Sequence, residues 1–372
     1  MVDIARQPAF ARQVPWRPIA VLTLILVLLA AGLAFVIGSQ QHVPAPFGPA
    51  RNGLVAYSKD GDIYTADPIT GAAKAVVIGP ETDLRPVFSL DGTRFAFERK
   101  AQGSSGPGSL FVAEAYGTGL ARVTPEPLAA INSYLFSPDG REILVSTGPE
   151  GATTILVAKS DGSGIRMLPV GTLTATQPAY RAPDGGEVVF VGYAAPFVDT
   201  GAAGTTPASG LYAVRPDGTG LRTSAYEVDY LTGGSQVRAY VVSADGQSNR
   251  ILRPIPDGDL NFARDWSNDG TRLFVGGCHY APAVDAVCED TSAVVPVDGN
   301  GVDVKINVGA EAAGADQRTD RWAPDDGSIL TTPLDAQGQP VSASLLCGVA
   351  TGRSRPVPWT GGGDPSWQRL AP

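Results

Sequence analysis

Histidine, cysteine and methionine are scarce in this chain of 372 residues, which contains two, three and two of them. The histidines are His42 and His279, so a catalytic site that depends on imidazole has at most two candidates. The three cysteines lack the paired short spacing of a zinc site. We therefore predict no metal site, no cofactor and no catalytic residue.

Charge is also scarce, and the excess is acidic. Only 17% of the residues are charged, the formal net charge is −9 and the isoelectric point is about 4.8. A protein that binds nucleic acid needs a basic patch to contact phosphate groups, and the sequence contains none. Glycine (45 residues) and proline (31) are abundant, which indicates many short strands joined by tight turns.

One apolar run, residues 19–38, contains no charged residue. Twenty residues of helix span about 30 Å, the thickness of the hydrocarbon core of a bilayer. Arg6, Arg12 and Arg17 precede the run, and positively charged flanks stay in the cytoplasm. We predict a cytoplasmic tail over residues 1–18, a transmembrane helix that contacts the lipid bilayer, and an extracytoplasmic remainder on the cell membrane.

A cleaved signal peptide is the alternative for this run, although its apolar region usually has only about 7–15 residues and ends in a small-residue cleavage site. The run is followed by residues 39–52, which are rich in proline and lack periodicity. This composition predicts an extended linker. The folded domain is expected over residues 53–372.

A short phrase recurs through the folded domain: an aromatic residue, one or more small or polar residues, Asp-Gly, and an alternating apolar stretch. Such a phrase predicts a hairpin of two strands, A and B, because alternation marks a half-buried strand and Asp-Gly tolerates the positive φ of a tight turn. Since the aspartate recurs, we interpret it as a structural turn residue. The copies lie at residues 87–97, 135–145, 180–190, 266–274 and 322–330, with a truncated copy at 365–370.

A second hairpin, with strands C and D around a glycine-rich turn, follows most copies. Four strands in each unit of about 45 residues are typical of a propeller blade. We predict an all-β fold, a β-propeller of seven blades with a degenerate fifth blade near residues 224–236, or alternatively of six blades with an insertion. The domain opens on a B strand and closes on an A strand, so the C-terminal strand is expected to pair with the first blade and close the ring.

The recurring Phe/Trp-Ser-x-Asp-Gly phrase resembles the WD40-like (PD40) repeats of TolB-type propellers, over about residues 53–372. The copies at 86–97 and 134–145 are similar to the family phrase, whereas the fifth blade departs from it. The resemblance implies a protein-binding propeller of the bacterial envelope. TolB proteins also have an N-terminal α/β domain and lack an anchor, so the resemblance supports the fold more than the role.

Three long insertions are expected between strands B and C, at residues 99–109, 192–209 and 277–291. Because strands alternate in direction, all three emerge on one face, where loops on a rigid scaffold often bind partners. Tolerated drift of bland loops is the competing interpretation. The candidate contact residues are Tyr193, Phe197, His279 and Tyr280.

Cys278 and Cys288 bracket one of these insertions, and an oxidising compartment would permit a disulfide between them. The alternative is two unpaired thiols. Cys347 lies in a predicted C strand and is expected to be a small buried apolar residue.

The predicted function is that of a membrane-anchored, non-enzymatic propeller that binds an envelope or membrane protein, or another envelope component. The alternative is a lactonase-like propeller hydrolase with a metal-dependent site in the central channel. That alternative requires inward-facing acids at the channel mouth. A sensor that acts across the membrane is a third possibility, for which the tail of residues 1–18 is short.

Overall fold

The computed structural model describes residues 45–149, 151–181, 184–194, 209–226, 240–242, 249–251, 259–280, 288–290, 292–298, 302–308, 317–334, 340–359 and 363–371. Every regular element in these ranges is a β-strand. None of the described residues belongs to a helix with the length and apolar character needed to cross a membrane. The predicted tail and transmembrane helix, residues 1–18 and 19–38, lie outside the described residues, as do residues 39–44 of the predicted linker.

The described strands are short and follow one another closely along the chain. The first eleven are β1 (Arg51–Lys59), β2 (Asp62–Ala66), β3 (Ala73–Val77), β4 (Thr82–Phe88), β5 (Arg94–Lys100), β6 (Ser109–Glu114), β7 (Ala121–Arg122), β8 (Ile131–Phe136), β9 (Glu142–Thr147), β10 (Thr154–Lys159) and β11 (Ile165–Met167). The next six are β12 (Leu173–Tyr180), β13 (Val188–Ala194), β14 (Ser209–Val214), β15 (Arg222–Tyr226), β16 (Tyr240–Val242) and β17 (Asn249–Ile251). The last ten are β18 (Asp259–Trp266), β19 (Arg272–Tyr280), β20 (Cys288–Asp290), β21 (Ala293–Pro296), β22 (Val304–Lys305), β23 (Gln317–Trp322), β24 (Ser328–Leu334), β25 (Leu345–Gly348), β26 (Ser354–Pro356) and β27 (Gly363–Leu370).

These strands form a β-propeller in which six blades have four antiparallel strands in consecutive order, one of them with an additional strand, β20. In chain order the blades are blade 1 (β27, β1, β2, β3), blade 2 (β4–β7), blade 3 (β8–β11), blade 4 (β12–β15), blade 5 (β18–β22) and blade 6 (β23–β26). The described residues form six complete blades. This is the number given by the alternative prediction, whereas the favoured prediction was seven blades. A two-stranded sheet, β16 with β17, occupies the sequence position of the expected degenerate blade, so among the described residues the propeller has the six blades of the alternative prediction.

Blade 1 takes its strands from both ends of the propeller sequence. β27 pairs with β1 in antiparallel register, with Val55 opposite Trp367 and Ala56 opposite Ser366. β1 begins at Arg51, two residues before the expected start of the domain. The pairing gives blade 1 the same four-stranded order as the other blades, so its first and second strands both have hydrogen-bonded partners.

The core lies between neighbouring blades, because each blade packs against another on both of its faces. The second strands are therefore buried almost continuously, as at Phe95, Ala96 and Phe97 of β5, rather than on alternate residues. A cluster that joins Ala96 and Leu110 of blade 2 to apolar residues of blade 3 illustrates this packing. Burial on both faces explains why the aromatic phrase recurs in every blade.

The Asp-Gly segments form tight turns, as the sequence predicts. In blade 3 the hydroxyl of Ser137 donates to Asp139 Oδ1 at 2.7 Å, and the Arg141 N–H donates to the same oxygen at 3.1 Å. Gly140 has a φ of 68°, a conformation that glycine adopts without steric cost. Blades 2 and 5 contain the same arrangement at Asp91 and Asp269.

The connections define two faces of the propeller. The turn face carries the turns between first and second strands, such as residues 89–93, and those between third and fourth strands, such as residues 115–120. The loop face carries the connections between second and third strands, such as residues 101–108, and the connections between blades. Each first strand therefore begins at the loop face and ends at the turn face.

Candidate functional site: charges on the inner strands

The first strand of each blade, here called an inner strand, lies nearest the propeller axis, where such strands line the central channel. Hydrogen bonds join neighbouring inner strands directly. The Phe88 N–H of β4 donates to Ser366 Oγ of β27 at 3.0 Å. The Trp322 N–H of β23 donates to Asp265 Oδ2 of β18 at 3.1 Å. Polar side chains on these strands are therefore close to the channel and to each other.

Three inner strands contain the same β-bulge at the same position. In each, a residue with a left-handed backbone precedes a proline, and two residues stand opposite one residue of the second strand. Bulges re-aim side chains, and they tolerate proline within a sheet. A non-glycine residue with positive φ also carries backbone strain, which is often found at binding and catalytic sites. The three pairs are Arg85-Pro86 with φ 53°, Gln177-Pro178 with φ 51°, and Asp364-Pro365 with φ 48°.

Arg85 joins blade 2 to blade 3. Its Nη2 atom lies 2.6 Å from Oε2 of the buried Glu98, and its Nη1 atom donates to the backbone oxygen of Asn132 at 3.2 Å. The backbone oxygen of Arg85 accepts a hydrogen bond from the hydroxyl of Tyr134. Burial disfavours the charge of Arg85, but Tyr134, Glu98 and Asp364 outweigh it and raise the arginine pKa.

Asp364 lies between two arginines of neighbouring inner strands. Burial raises the pKa of its carboxyl group, and the charges of Arg85 on β4 and Arg321 on β23 oppose that shift without cancelling it. Asp364 is half-buried, whereas Arg321 is exposed. The carboxyl group is therefore easier to protonate than that of an ordinary aspartate.

Asp265 on β18 is a second acidic residue next to Arg321, on the inner strand that precedes β23 in the ring. Its Oδ1 atom accepts the Trp266 N–H at 2.9 Å, while Oδ2 accepts the Trp322 N–H. Burial raises the pKa of Asp265, and Arg321 and these two backbone donors oppose the shift. Arg321 itself donates from Nη1 to the backbone oxygen of Asp320 at 2.9 Å.

Asp265, Arg321, Asp364 and Arg85, here called the inner charge arc, alternate in sign over four successive inner strands. Arg85 is engaged by Glu98 of blade 2 and Asn132 of blade 3, whereas Arg321 is exposed and Asp364 is only half-buried. This arrangement suits a ligand that carries both a carboxylate and an amine, because guanidinium groups bind carboxylates and carboxylates accept from amines. Within the part of the chain that the structure describes, no three His, Cys, Asp or Glu side chains are grouped to hold a metal ion.

Residues 45–50, here called the strap, cross the turn-face end of the channel. Arg369 of blade 1 donates from Nη2 to the backbone oxygen of Ala45 at 3.0 Å. On the opposite side, Phe47 packs against the core cluster shared by blades 3 and 4. The Ala50 N–H then donates to the backbone oxygen of Pro324 in blade 6 at 2.8 Å. Among the described residues, the strap is the segment that covers an end of the channel, so the loop face is the side from which we expect a ligand to approach the inner charge arc.

The loop face is also where the sequence-predicted contact residues were expected. Tyr193 lies in β13, is half-buried and pairs with Thr174 and Ser209. His279 and Tyr280 lie in β19, which extends past the blade and pairs there with β20. Phe197 lies outside the described residues. Their role as contact residues stays a prediction.

The cysteines can be placed by strand register. Cys288 of β20 stands opposite Tyr280, whereas Cys278 stands opposite Asp290, so the two cysteines are diagonal neighbours. Diagonal positions have Cα atoms about 7–8 Å apart, beyond the usual disulfide range of about 4.4–6.8 Å. A disulfide here would require a local backbone shift, and the bond stays a prediction. Cys347 is buried in β25, as expected.

A signal for the inner-strand positions is present in the sequence, immediately before the repeated phrase. Arg85-Pro86, Gln177-Pro178 and Asp364-Pro365 each stand two residues before the aromatic residue of the repeated phrase. A proline inside an expected strand indicates a bulge. In each of these three inner strands, the residue before the proline would have identified a position near the channel.

No protein-family model matches the chain, and no curated protein matches it. Solved structures share its fold. Oligogalacturonate lyase from Vibrio parahaemolyticus has a TM-score of 0.58 at 10% identity, over 83% of this chain and 84% of the other. A puromycin-hydrolysing peptidase of Mycobacterium tuberculosis has a TM-score of 0.52 at 15% identity, over 86% of this chain and 57% of the other. TolB from Acinetobacter baumannii has a TM-score of 0.47 at 14% identity, over 88% of this chain and 68% of the other. At these identities the likeness to the lyase and the peptidase, whose TM-scores exceed 0.5, shows the β-propeller fold alone.

Proposed function

We propose that this chain is a membrane-anchored extracytoplasmic propeller that binds a protein or another component of the cell envelope. In this proposal residues 19–38 anchor the chain as a single-pass protein with a cytoplasmic N-terminus, and the propeller presents its loop face to the partner. The resemblance of the repeats to those of TolB-type propellers is consistent with this role.

The observation that carries the proposal is the inner charge arc. Arg321 is exposed and Asp364 is half-buried between two arginines, so a carboxylate and an amine of a polypeptide segment would each meet an opposite charge. The strap covers the opposite end of the channel. Binding energy from such groups depends on desolvation, which a channel lined by inner strands provides.

The alternative is a propeller enzyme with its site in the central channel. Propeller enzymes are among the proteins that share this fold, including an oligogalacturonate lyase and a puromycin-hydrolysing peptidase. Asp265 and Asp364 are inner-strand acids with raised pKa values, and perturbed acids are a feature of active sites. A metal-dependent hydrolase of the lactonase type would additionally need a ligand set that includes residues outside the described ranges.

Crosslinking in intact membranes tests the proposal, followed by mass spectrometry of proteins captured with tagged full-length chain. We expect a stoichiometric envelope partner whose crosslinks map to the loop face. The variant Arg321→Glu reverses one charge of the arc and should reduce capture by roughly tenfold or more. Arg141→Glu, an equal charge change at an exposed turn-face residue, is the matched control and should leave capture unchanged.

Two outcomes would contradict the binding role. Equal capture by Arg321→Glu and Arg141→Glu would show that the arc does not contact the partner. No specific capture at all, together with metal-dependent hydrolysis by purified full-length chain and its loss in Asp364→Asn, would favour the enzyme.

A further inference from the structure

Blades 2 to 5 carry a charged residue at one equivalent position, where the chain leaves the first turn and starts the second strand. One hydrogen bond establishes the equivalence. In each blade the backbone oxygen of the charged residue accepts the N–H of the residue that follows the aromatic residue of the repeated phrase. The four charged residues are Arg94, Glu142, Glu187 and Arg272.

Three of these four charges have close partners. In blade 2, Arg94 donates from Nη2 to the backbone oxygen of Gly140 at 2.6 Å and from Nη1 to the hydroxyl of Ser160 at 3.1 Å, both in blade 3. The glutamates of blades 3 and 4 have guanidinium partners at 3.2 and 2.8 Å. These charges are therefore satisfied within the propeller.

Arg272 of blade 5 has only longer contacts with oxygen atoms of the described residues. Its Nη2 atom lies 3.4 Å from the backbone oxygen of Asp326 and 3.9 Å from Asp269 Oδ2. The guanidinium lies over the Trp322 ring, 5.2 Å from its centroid, and the side chain is 31% exposed. Since a guanidinium has five N–H donors, these contacts leave it able to bind another acceptor.

Two neighbouring residues explain why Arg272 differs from the arginine of blade 2. Val349 occupies in blade 6 the place that Ser160 has in blade 3, because the N–H of each donates to the first turn of its own blade. In the strand register, Pro296 stands opposite the arginine of blade 5, whereas Glu114 stands opposite that of blade 2. The blade 5 arginine therefore has two apolar neighbours where the blade 2 arginine has a hydroxyl and a carboxylate.

The same guanidinium borders a cavity of about 220 Å³ between blades 5 and 6. Asp326 also lines the cavity, but its carboxylate already accepts the Asn268 N–H at 2.6 Å and the Asp269 N–H at 2.9 Å. The charged group with donors to offer a ligand is therefore the guanidinium. The rest of the lining is apolar apart from Gly327, and consists of Val294, Pro296, Val302, Val304, Val349 and Ala350.

This lining defines the chemistry of a matching ligand. The planar fork of a guanidinium suits a carboxylate. A single negative charge is favoured, because Asp269 and Asp326 would repel a second one. The apolar walls require an alkyl body. Since a cavity of about 150 Å³ holds benzene, this one has room for roughly six to eight non-hydrogen atoms.

We propose that the cavity between blades 5 and 6 binds a short aliphatic monocarboxylate, with the carboxylate on Arg272 and the alkyl chain against Val294, Val304 and Val349. The site is formed by second, third and fourth strands and by turns, whereas the inner charge arc lies on first strands. The proposal requires neither the anchor nor an envelope partner, so it can fail or succeed independently of the proposed function.

Saturation-transfer difference NMR with hexanoate tests the site. The full-length chain is placed in nanodiscs of chain-deuterated lipid at pH 7, protein methyl groups are irradiated, and the signal from empty nanodiscs is subtracted. We expect a Kd on the order of 1 mM, with more saturation at the terminal methyl group than at the methylene beside the carboxylate. No transfer at concentrations well above that value would overturn the proposal.

Hexan-1-ol has the same alkyl chain without the carboxylate and should bind at least tenfold more weakly. Equal binding of the alcohol would refute the role of the guanidinium. A short N-acetylated peptide with a C-terminal leucine presents a carboxylate and an apolar group from a polypeptide. If that peptide bound about tenfold more tightly than hexanoate, the ligand would be a polypeptide C-terminus, and the assignment to a free acid would be wrong.

Two arginine variants form a matched pair. Arg272→Met removes the guanidinium but keeps an unbranched side chain, and it should weaken hexanoate binding about tenfold or more. Arg94→Met makes the same change at the equivalent position of blade 2 and should leave binding unchanged. Arg272→Lys keeps the charge without the fork and should have an intermediate affinity. Equal affinities of the two methionine variants would overturn the proposal.

Val349→Ser tests the structural reason for the site. It gives blade 6 the hydroxyl that Ser160 provides in blade 3, so the hydroxyl should engage Arg272 and make the cavity wall polar. We expect hexanoate to bind severalfold more weakly to this variant, which keeps the arginine itself. Unchanged affinity would show that the ligand does not contact this wall, and the proposed site would be wrong.

Discussion

Asp83 and Arg99 form a bidentate ion pair at the loop-face end of blade 2. Arg99 Nε lies 2.7 Å from Asp83 Oδ1, and Arg99 Nη2 lies 2.7 Å from Oδ2. The Asp83 side chain is fully buried, and that of Arg99 is 16% exposed and lies over the Phe111 ring. The pair links the inner strand β4 to the second strand β5, so it fixes the start of the strand that carries Arg85.

Removal of one partner of this ion pair should destabilise the propeller. Asp83→Ala leaves the guanidinium of Arg99 largely buried and unpaired, and we expect the free energy of unfolding to fall by about 3 kcal/mol. The double variant Asp83→Leu with Arg99→Met should recover most of this loss, since both desolvated charges are then absent. Denaturant unfolding of the full-length chain in detergent measures both.

Arg141→Ala is the control for this series, because the Arg141 and Asp139 side chains are mostly exposed and 3.9 Å apart. An exposed pair of this kind contributes less than about 0.5 kcal/mol. If Asp83→Ala and Arg141→Ala had equal effects, the buried pair would not be the element that fixes β4.

Gln177 should show an inverted ranking of glycine and alanine. Its φ is 51° and its side chain is exposed. Residue 177 therefore affects the stability of the fold mainly through its backbone strain, which is destabilising. Glycine relieves that strain and alanine does not, and the left-handed region costs other residues about 1–2 kcal/mol. We expect Gln177→Gly to be more stable than Gln177→Ala by about 1 kcal/mol in thermal or denaturant unfolding. The usual order, with alanine more stable, would show that the bulge is relaxed in solution.

Local features were predictable from the sequence, and so was the pairing of the C-terminal strand with the first blade, whereas the contacts between side chains of different blades were not. The turn at Ser137 and Asp139 depends on residues two apart, so its composition was sufficient to identify it. The relation of Asp364 to Arg85 and Arg321 depends on which inner strands become neighbours when the ring closes. The strap could not be predicted either, because a proline-rich segment lacks periodicity and its contacts to Arg369 and Pro324 are tertiary.

Asp364 should make stability depend on pH in a direction opposite to that of an ordinary paired aspartate. Burial raises its pKa above the usual 3.8, despite Arg85 and Arg321. The folded state then binds a proton more tightly than the unfolded state, so this residue's contribution to stability decreases as pH rises from about 4 through the folded-state pKa. Asp364→Asn keeps a side chain that tolerates positive φ and carries no charge.

The variant is therefore expected to be more stable than the wild type at pH 7, with a difference that shrinks as pH falls toward 4. Midpoints of denaturant unfolding measured from pH 4 to pH 7 check this. A difference that grows as pH falls would mean that the two arginines dominate burial.

Gly92 and Gly270 are a matched pair that measures how tightly β27 closes the ring. They occupy the same place in the Asp-Gly turns of blades 2 and 5, with φ values of 69° and 70°. Their N–H groups donate to Ser89 and Ser267 at 2.9 and 3.0 Å. A Cβ at Gly92 would lie 2.0 Å from the backbone oxygen of Arg369, whereas a Cβ at Gly270 would meet nothing within 4 Å.

Alanine at both positions therefore adds the same backbone strain, about 1 kcal/mol, but only Gly92→Ala also pushes against the C-terminal strand. We expect Gly270→Ala to lower the free energy of unfolding by about 1 kcal/mol and Gly92→Ala by about 3 kcal/mol or more. Because β27 pairs with β1 and contacts β4, hydrogen exchange should rise in β27 and β1 of the Gly92 variant and stay unchanged there in the Gly270 variant. Equal losses of stability, with equal exchange in β27, would show that the C-terminal strand can withdraw from the blade 2 turn without cost, and that closure of the ring depends on its pairing with β1 alone.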